Sequence, residues 1–380
     1  MDPQQRLVLE VGYSALHGSG QQRSALAGSN VGLFIAIEHV DWQLMQALRA
    51  SRTALQRASA YGASGEQPHV ASGRLAFALD LRGPIASINT ACSSALVAVH
   101  HSAAAIRTAE CPSALAAGVK VVLLPFGVDG GVVALDGRSK SFDARADGYG
   151  RSEAIAATRL DASGEALTAL AGSSVHASGR GASLTAPNGS AQGVAMELAL
   201  ARGSLSASEV GCVQPQGLGS ALADPIEMRA VTTVLGTNRL SALAIGCHKA
   251  NAGHSEAPSG LMGLLVAQHA VQQLQLGTNA QLRALNPLVA QPMRQAALPA
   301  ALPTNGLAMH GIDACGVAAF GVSGVIATAV VRAVEGTRMA MAAVLAPTPR
   351  VAYQQRAFLW REPTHPLAQR LLPSSDGAEV

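Results

Sequence analysis

This chain is poor in charge and poorer still in aromatic residues. Asp, Glu, Lys and Arg make up 13% of its 380 residues, about half the usual share of roughly 25%, and aromatic residues make up only 3%. Lys and Arg total 27 against 24 Asp and Glu, for a net charge of +3 with no long run of one sign. The broad basic field that would attract nucleic acid or an anionic membrane is missing. Lysine is nearly absent, represented by Lys120, Lys140 and Lys249 alone, which draws attention to each of them. The five cysteines (Cys92, Cys111, Cys212, Cys247 and Cys315) are odd in number and scattered, with no C-x-x-C pair and no His at zinc-ligand spacing. That pattern gives no disulfide framework and no metal site, and fits a reducing compartment such as the cytoplasm or an organelle stroma. The N-terminus lacks the apolar stretch of a signal peptide. The most apolar segment, Ser113 to Leu135, is broken by Lys120, Pro125, Asp129 and several glycines. The sequence therefore reads as a soluble protein without a membrane span.

What is present is apolar content, 49% of the chain, enough for a large core. Residues 1–14 suit a short helix, and a looser segment runs to about His69. From there the pattern sharpens. Pro84 to Thr90 reads as a short apolar strand, and Ser93 to Thr108, without Gly or Pro, as a helix. Ala114 to Leu124 reads as a buried strand. The second half repeats this grammar: helices over 191–202, 225–234 and 260–274 alternate with strands around 210–213 and 242–246. Alternation of this kind predicts an α/β architecture with covered sheets. Two similar halves breaking near Ala171, residues 1–171 and 172–335, are expected, followed by a Pro- and Arg-bearing linker or tail over 336–380.

Cys92 sits where the predicted strand ends and the helix begins, in Thr90-Ala91-Cys92-Ser93-Ser94. A helix N-terminus stabilises a thiolate and can bring a cysteine pKa from about 8.5 into the range of roughly 3.5–7.5. The same free N–H groups can stabilise an oxyanion on a thioester. The plain alternative is a small inert cysteine buried in a tight turn.

The segment TACSSALVAVH resembles the nucleophile segment of ketosynthase domains from modular type I polyketide synthases, members of the thiolase-like superfamily. It stands in an ordered set: DPQQRLVLEV and SGRLAFALDLRGP upstream, then SFDARADGYGRSE, LTAPNGSAQ, DPIEMRAV, HKANAGHSEAPSG and AAFGVSG downstream. Thiolases proper and chalcone-synthase-like enzymes differ in these segments. The resemblance implies a five-layered α-β-α-β-α fold with two similar halves, and a homodimer in which the strand before the nucleophile pairs across the twofold axis. It also implies β-ketoacyl synthase chemistry of polyketide or fatty acid biosynthesis. Cys92 would accept an acyl chain from an acyl carrier protein, and a decarboxylated malonyl-type extender would then attack it. The phosphopantetheine arm comes with the carrier, and no resident cofactor is implied.

In the same terms, His254 and Lys249 match a histidine and the lysine of the ketosynthase site, and Glu256 is retained beside them. The second histidine is replaced by Gln216, in Gln216-Gly217-Leu218-Gly219-Ser220. An amide can donate a hydrogen bond but has no titratable proton near neutral pH. Gly321, Val322, Ser323 and Gly324 match the oxyanion and gating loop, with Val322 in place of its usual Phe. Leu218, Ala250, Val325 and Ile326 are further departures, and His248 stands where an apolar residue is usual. The opening strand and helix of typical members are not found ahead of the DPQQR segment. At the other end, Phe358 to Leu367 resembles a linker leading to a dehydratase-like module. Two functions are expected from this set: an acyl-carrier-dependent acyltransferase with condensation impaired, or a catalytically silent ketosynthase-like subunit that serves as a scaffold, in a homodimer or a hetero-assembly.

Overall fold

A computed structural model describes residues 1–38, 41–50, 62–124, 132–163, 166, 168–236, 239–308 and 313–334. The expected linker over 336–380 lies outside the described residues. In chain order the helices are α1 (Pro3–Gly18), α2 (Arg23–Leu26), α3 (Asp41–Ala50), α4 (Gly62–Glu66), α5 (Val70–Leu79), α6 (Ser94–Arg107), α7 (Gly189–Arg202), α8 (Ala223–Leu235), α9 (Lys249–Ala252), α10 (Ser259–Gln273) and α11 (Pro287–Gln295). The strands are β1 (Val31–Ile37), β2 (Ile85–Ile88), β3 (Ser113–Lys120), β4 (Ala154–Asp161), β5 (Thr168–Ala177), β6 (Val210–Gln214), β7 (Leu243–Ile245), β8 (Gln275–Leu276), β9 (Ala300–Ala301), β10 (Leu307–Ala308), β11 (Ala314–Phe320) and β12 (Val325–Ala333).

The strands form two main sheets, ordered β2-β1-β3-β4 and β5-β12-β11-β6-β7-β9, with β8 and β10 as a small separate pair. In the first, β1 runs parallel to β2 and β3, and β4 is antiparallel to β3. In the second, β6 runs parallel to β7 and β11, and β12 is antiparallel to β11. The two sheets thus share one plan. The second carries an additional antiparallel strand, β5, on the outer side of β12. The outer side of β4 has no such neighbour among the described residues.

Side-chain alternation explains why five layers form. Along β1, Leu33, Ile35 and Ile37 enter one buried cluster, with Val8 and Leu16 of α1 and Leu75 of α5. Phe34 and Ala36 point the other way, into a central cluster with Leu96 and Val99 of α6 and Leu261 and Leu264 of α10. Strand β3 divides likewise: Leu115, Ala117 and Val119 join the outer cluster, Ala114 and Ala116 the central one. In the second sheet Cys212 faces the centre, while Val213 meets Met196, Leu200, Met228 and Val231 of α7 and α8 on the far side. Strands buried on both faces read as continuous apolar runs, and the resulting order is helices, sheet, α6 with α10, sheet, helices.

The sequence reading of residues 15–69 as a loose segment is corrected here. Strand β1 lies inside it, buried at every position, and α1 continues to Gly18, capped at its start by the Asp2 carboxylate, which accepts from the Gln4 N–H at 2.8 Å. The changeover between sheets falls between β4 and β5.

The central layer depends on small residues. A Cβ at Gly260 of α10 would sit 2.7 Å from Leu96 Cγ and 3.2 Å from Ala319 Cβ, so α6 and α10 would have to part. Overpacking of this kind typically costs about 1–3 kcal/mol. Gly260→Ala is expected to lower the urea midpoint without changing the slope, as read by equilibrium unfolding.

Candidate active site

The Cys92 turn is built where β2 gives way to α6. Ala91 adopts φ +52°, a left-handed conformation that costs a residue with a Cβ about 1–2 kcal/mol, and surrounding hydrogen bonds hold it. Ser94 Oγ donates to the Ala91 carbonyl at 2.6 Å and accepts from the Thr90 N–H at 2.8 Å; Ser93 Oγ donates to the Thr90 carbonyl at 2.8 Å. Ser259 Oγ at the start of α10 donates to the Cys92 carbonyl at 3.4 Å. The turn is thereby fixed between the two central helices.

All five cysteines are free; Cys92 alone retains partial exposure, and the other four are buried. The expected thiolate is not what this turn favours. Burial pushes the Cys92 thiol up to about 12, and the Glu38 carboxylate adds to the rise against the ammonium groups of Lys249 and Lys120. The reason is geometric: α6 begins at Ser94, two residues beyond the sulfur, so the helix terminus does not offset the loss of water around the thiol.

His254 and Lys249 come to the same place from the second half. Both are buried, and Lys249 acts electrostatically on Cys92 and on His254. The His254 backbone is zipped to the segment after residue 147: its N–H donates to the Gly150 carbonyl at 2.7 Å, and its carbonyl accepts from the Ser152 N–H at 3.1 Å. Its ring meets that of Tyr149 edge to face, centroids 4.8 Å apart at 84°. Neither ring nitrogen has a hydrogen-bond partner among the described residues. Burial, followed by Lys249, His248 and Lys120, holds the imidazole well below its ordinary value. It is a neutral ring with a free lone pair.

Gln216 is also buried. Its Nε2 donates to the Phe320 carbonyl at 3.4 Å and its Oε1 is unpartnered among the described residues. The backbone around it hangs on two buried carboxyls of α8. Glu227 accepts from the N–H groups of Gln216 at 2.6 Å and Gly217 at 2.8 Å, and Asp224 accepts from Phe142 at 2.8 Å and Gly219 at 3.1 Å. Sequence reasoning noted these acids only as part of a motif; the signal was their spacing on one helix face, i and i+3. Burial raises Asp224 to about 6 and Glu227 to about 7. Both bind a proton more tightly folded than unfolded, so the stability these two groups contribute is fully present below about pH 4 and is lost as pH rises through about 6 to 7. Glu227→Gln removes one of the two titrating groups but turns an amide NH2 towards a backbone N–H. The variant is expected to melt lower at pH 5 and to show a flatter decline to pH 7, as read by thermal melts across that range.

Glu256 lies in the cluster, but as a counter-ion. Its φ is +54°, and its carboxylate pairs with Lys120, accepts from the Tyr149 hydroxyl at 3.2 Å and lies 3.6 Å from Arg151 Nε. Lys120, Tyr149 and Arg151 were missed as site residues; a lysine closing an apolar strand in a chain so poor in lysine was the available signal. His248 belongs elsewhere: its ring packs on α10, with Cε1 3.3 Å from where a Gly263 Cβ would stand.

The loop of Gly321, Val322, Ser323 and Gly324 lies over the turn. A Cβ at Gly321 would come 2.2 Å from the Thr90 carbonyl oxygen, so only glycine permits this approach. The loop is closed by Gly321 N–H donating to Val325 O at 2.8 Å and Gly324 N–H to Gly321 O at 2.9 Å. Val322 is exposed.

Two family descriptions match consecutive stretches: "Beta-ketoacyl synthase, N-terminal domain" over residues 1–166 and "Beta-ketoacyl synthase, C-terminal domain" over 167–283. Among curated proteins, the phenolphthiocerol synthesis polyketide synthase type I Pks15/1 of Mycobacterium bovis is 39% identical over 279 residues, 70% of this chain and 13% of that protein. Erythronolide synthase EryA2 of Saccharopolyspora erythraea is 38% identical over 277 residues, 70% of this chain and 8% of that protein. The chain thus spans less than a fifth of the length of these relatives. Among solved structures, the oxazolomycin ketosynthase domain OzmH KS7 of Streptomyces albus superposes with a TM-score of 0.79 at 28% identity, over 88% of this chain and 60% of that one. The ketosynthase from module 6 of the bacillaene synthase of Bacillus subtilis gives 0.78 at 25% identity, with the same coverage. The two sheets and these matches agree: the chain belongs to the beta-ketoacyl synthase family, with the thiolase-like fold of polyketide synthase ketosynthase domains.

Proposed function

We propose that this protein takes acyl chains from an acyl carrier protein onto Cys92 and is impaired in decarboxylative condensation. The observation that carries this reading is a buried, neutral His254, both ring nitrogens unpartnered among the described residues, under the same Lys249 and Lys120 charges that act on the protonated Cys92 thiol, while the Gln216 side chain itself has no titratable group. In the transfer step the Cys92 sulfur attacks the thioester carbonyl as its proton passes to His254. The bond to the phosphopantetheine sulfur then breaks, and that sulfur leaves with the proton returned by His254. The N–H groups of Gly321 and Gly324 are spent within their own loop, so the donors for the oxyanion are those of Cys92 and of Val322 and Ser323 between the two glycines, while Lys249 supplies positive charge. Splitting the reaction through a covalent intermediate replaces one difficult step with two easier ones.

Condensation makes a further demand. The extender develops negative charge as it loses carbon dioxide, and the Gln216 amide can offer it a hydrogen bond but no proton. Incubation with an acyl-carrier thioester tests the first half: intact mass should show one acyl adduct, mapping to Cys92, and folded protein without an adduct would refute loading.

A second reading, a catalytically silent component of a larger assembly, draws on the raised thiol and on sheet edges. Among the described residues strand β2 ends its sheet, and Ile85 on it is exposed; pairing of two such edges would give the homodimer, and a partner chain would give a hetero-assembly. Light scattering separates the readings. A stable lone monomer argues against an obligate scaffold.

A further inference from the structure

Lysine is so rare in this chain that a buried one in an ion pair beside the nucleophile calls for a reason. Lys120 ends β3 with its side chain fully buried, and its ammonium pairs with Glu256. Alternation along β3 puts Lys120 on the same face as Gly118. A Cβ at Gly118 would touch Pro258 Cα at 2.9 Å and Ala95 Cβ, in the first turn of α6, at 3.2 Å. That face of β3 therefore abuts both the nucleophile helix and the segment carrying Glu256. Glu256 in turn accepts from Tyr149, whose ring edge braces His254.

We propose that Lys120 is a positioning residue: with Glu256 as its counter-ion it sets the electrostatic potential at the Cys92 sulfur, and through Glu256 and Tyr149 it fixes the orientation of the His254 ring. The proposal rests on Cys92 as nucleophile. The charged and titratable groups facing that sulfur are Glu38 from the end of β1, Lys120 from β3, Lys249 from α9 and Tyr149 from the segment after residue 147. Lys120 itself faces Arg151, Glu38 and Asp41 as well as Cys92 and Glu256. Burial lowers its ammonium to about 8, so the cation, and with it the support for a thiolate, fades as pH rises through that value.

The pair predicts opposite effects from its two halves. Removing the cation leaves the thiolate opposed by Glu38 and Glu256; removing the carboxylate leaves the Lys120 charge uncompensated. The experiment is the rate of Cys92 alkylation by iodoacetamide between pH 6 and 11, site-resolved by mass spectrometry, on the full chain. A one-unit rise in thiol pKa lowers the thiolate fraction about tenfold at any pH below it. Lys120→Met should slow alkylation about tenfold at pH 7, where the ammonium is charged; Glu256→Gln should accelerate it at pH 6 and lose that gain as the unpaired ammonium gives up its proton; Lys120→Arg should stay near wild type, and the double variant should fall between the singles. Equal profiles for wild type and Lys120→Met, in proteins that melt cooperatively, would overturn the proposal. So would slowing by both single variants alike, which marks the pair as a structural brace. Alkylation needs no acyl carrier, so loss of acyl loading with the opposite shifts intact would refute the transferase reading and leave this one standing.

Discussion

Cys92→Ala is expected to fold normally and to carry no acyl group at all after incubation with an acyl-carrier thioester. The loss should be complete because the other four cysteines are buried in the core and the adduct has no second sulfur to occupy. The substitution removes one sulfur atom at a turn held by Ser93, Ser94 and Ser259 rather than by the thiol, so its thermal midpoint should change little. Intact mass after incubation and a melting curve make the measurement. An adduct surviving in the Ala variant would place loading elsewhere and remove the basis of the proposed function.

Gln216→His is the second large effect, with the opposite sign. General acid–base assistance is typically worth about 10²–10⁴-fold, so condensation with a malonyl-carrier extender should rise by about 100-fold or more, while acyl loading on Cys92 changes little. The backbone is ready for the exchange: Glu227 holds the N–H groups of residues 216 and 217 whatever side chain stands there, and Phe320 O offers an acceptor for a ring N–H. Product analysis by mass spectrometry separates the two steps. A wild-type rate already equal to that of the variant would show that the amide does not limit condensation.

The architecture was legible in the sequence wherever an element carried its own signature. The Gly- and Pro-free run after Cys92 became α6, and the Ala-rich segment after Cys111 became β3. Strand β1 was overlooked although Val31-Gly32-Leu33-Phe34-Ile35-Ala36-Ile37 is an unbroken run after Gly28-Ser29-Asn30. A strand buried on both faces lacks the alternation that marks a half-exposed one. At the site, motif spacing pointed to Cys92, Lys249, His254 and Gln216, and the fold brings Lys249 within electrostatic reach of Cys92 and of His254. The ionisation of the thiol was not legible, because it depends on how much water the packed chain leaves at the sulfur. The Lys120–Glu256 pair was hidden for a related reason: 136 residues separate its members, and only the pairing of sheet and helix layers joins them.

The unmatched flank of β4 has a consequence for what can pair with it. A free ladder edge offers a row of donors and acceptors to any extended peptide, and among the described residues the ionic guard along it is the Arg159–Asp161 pair near its far end. An extended peptide that occupied that row would therefore pair first at residues 154–157, away from the charged pair.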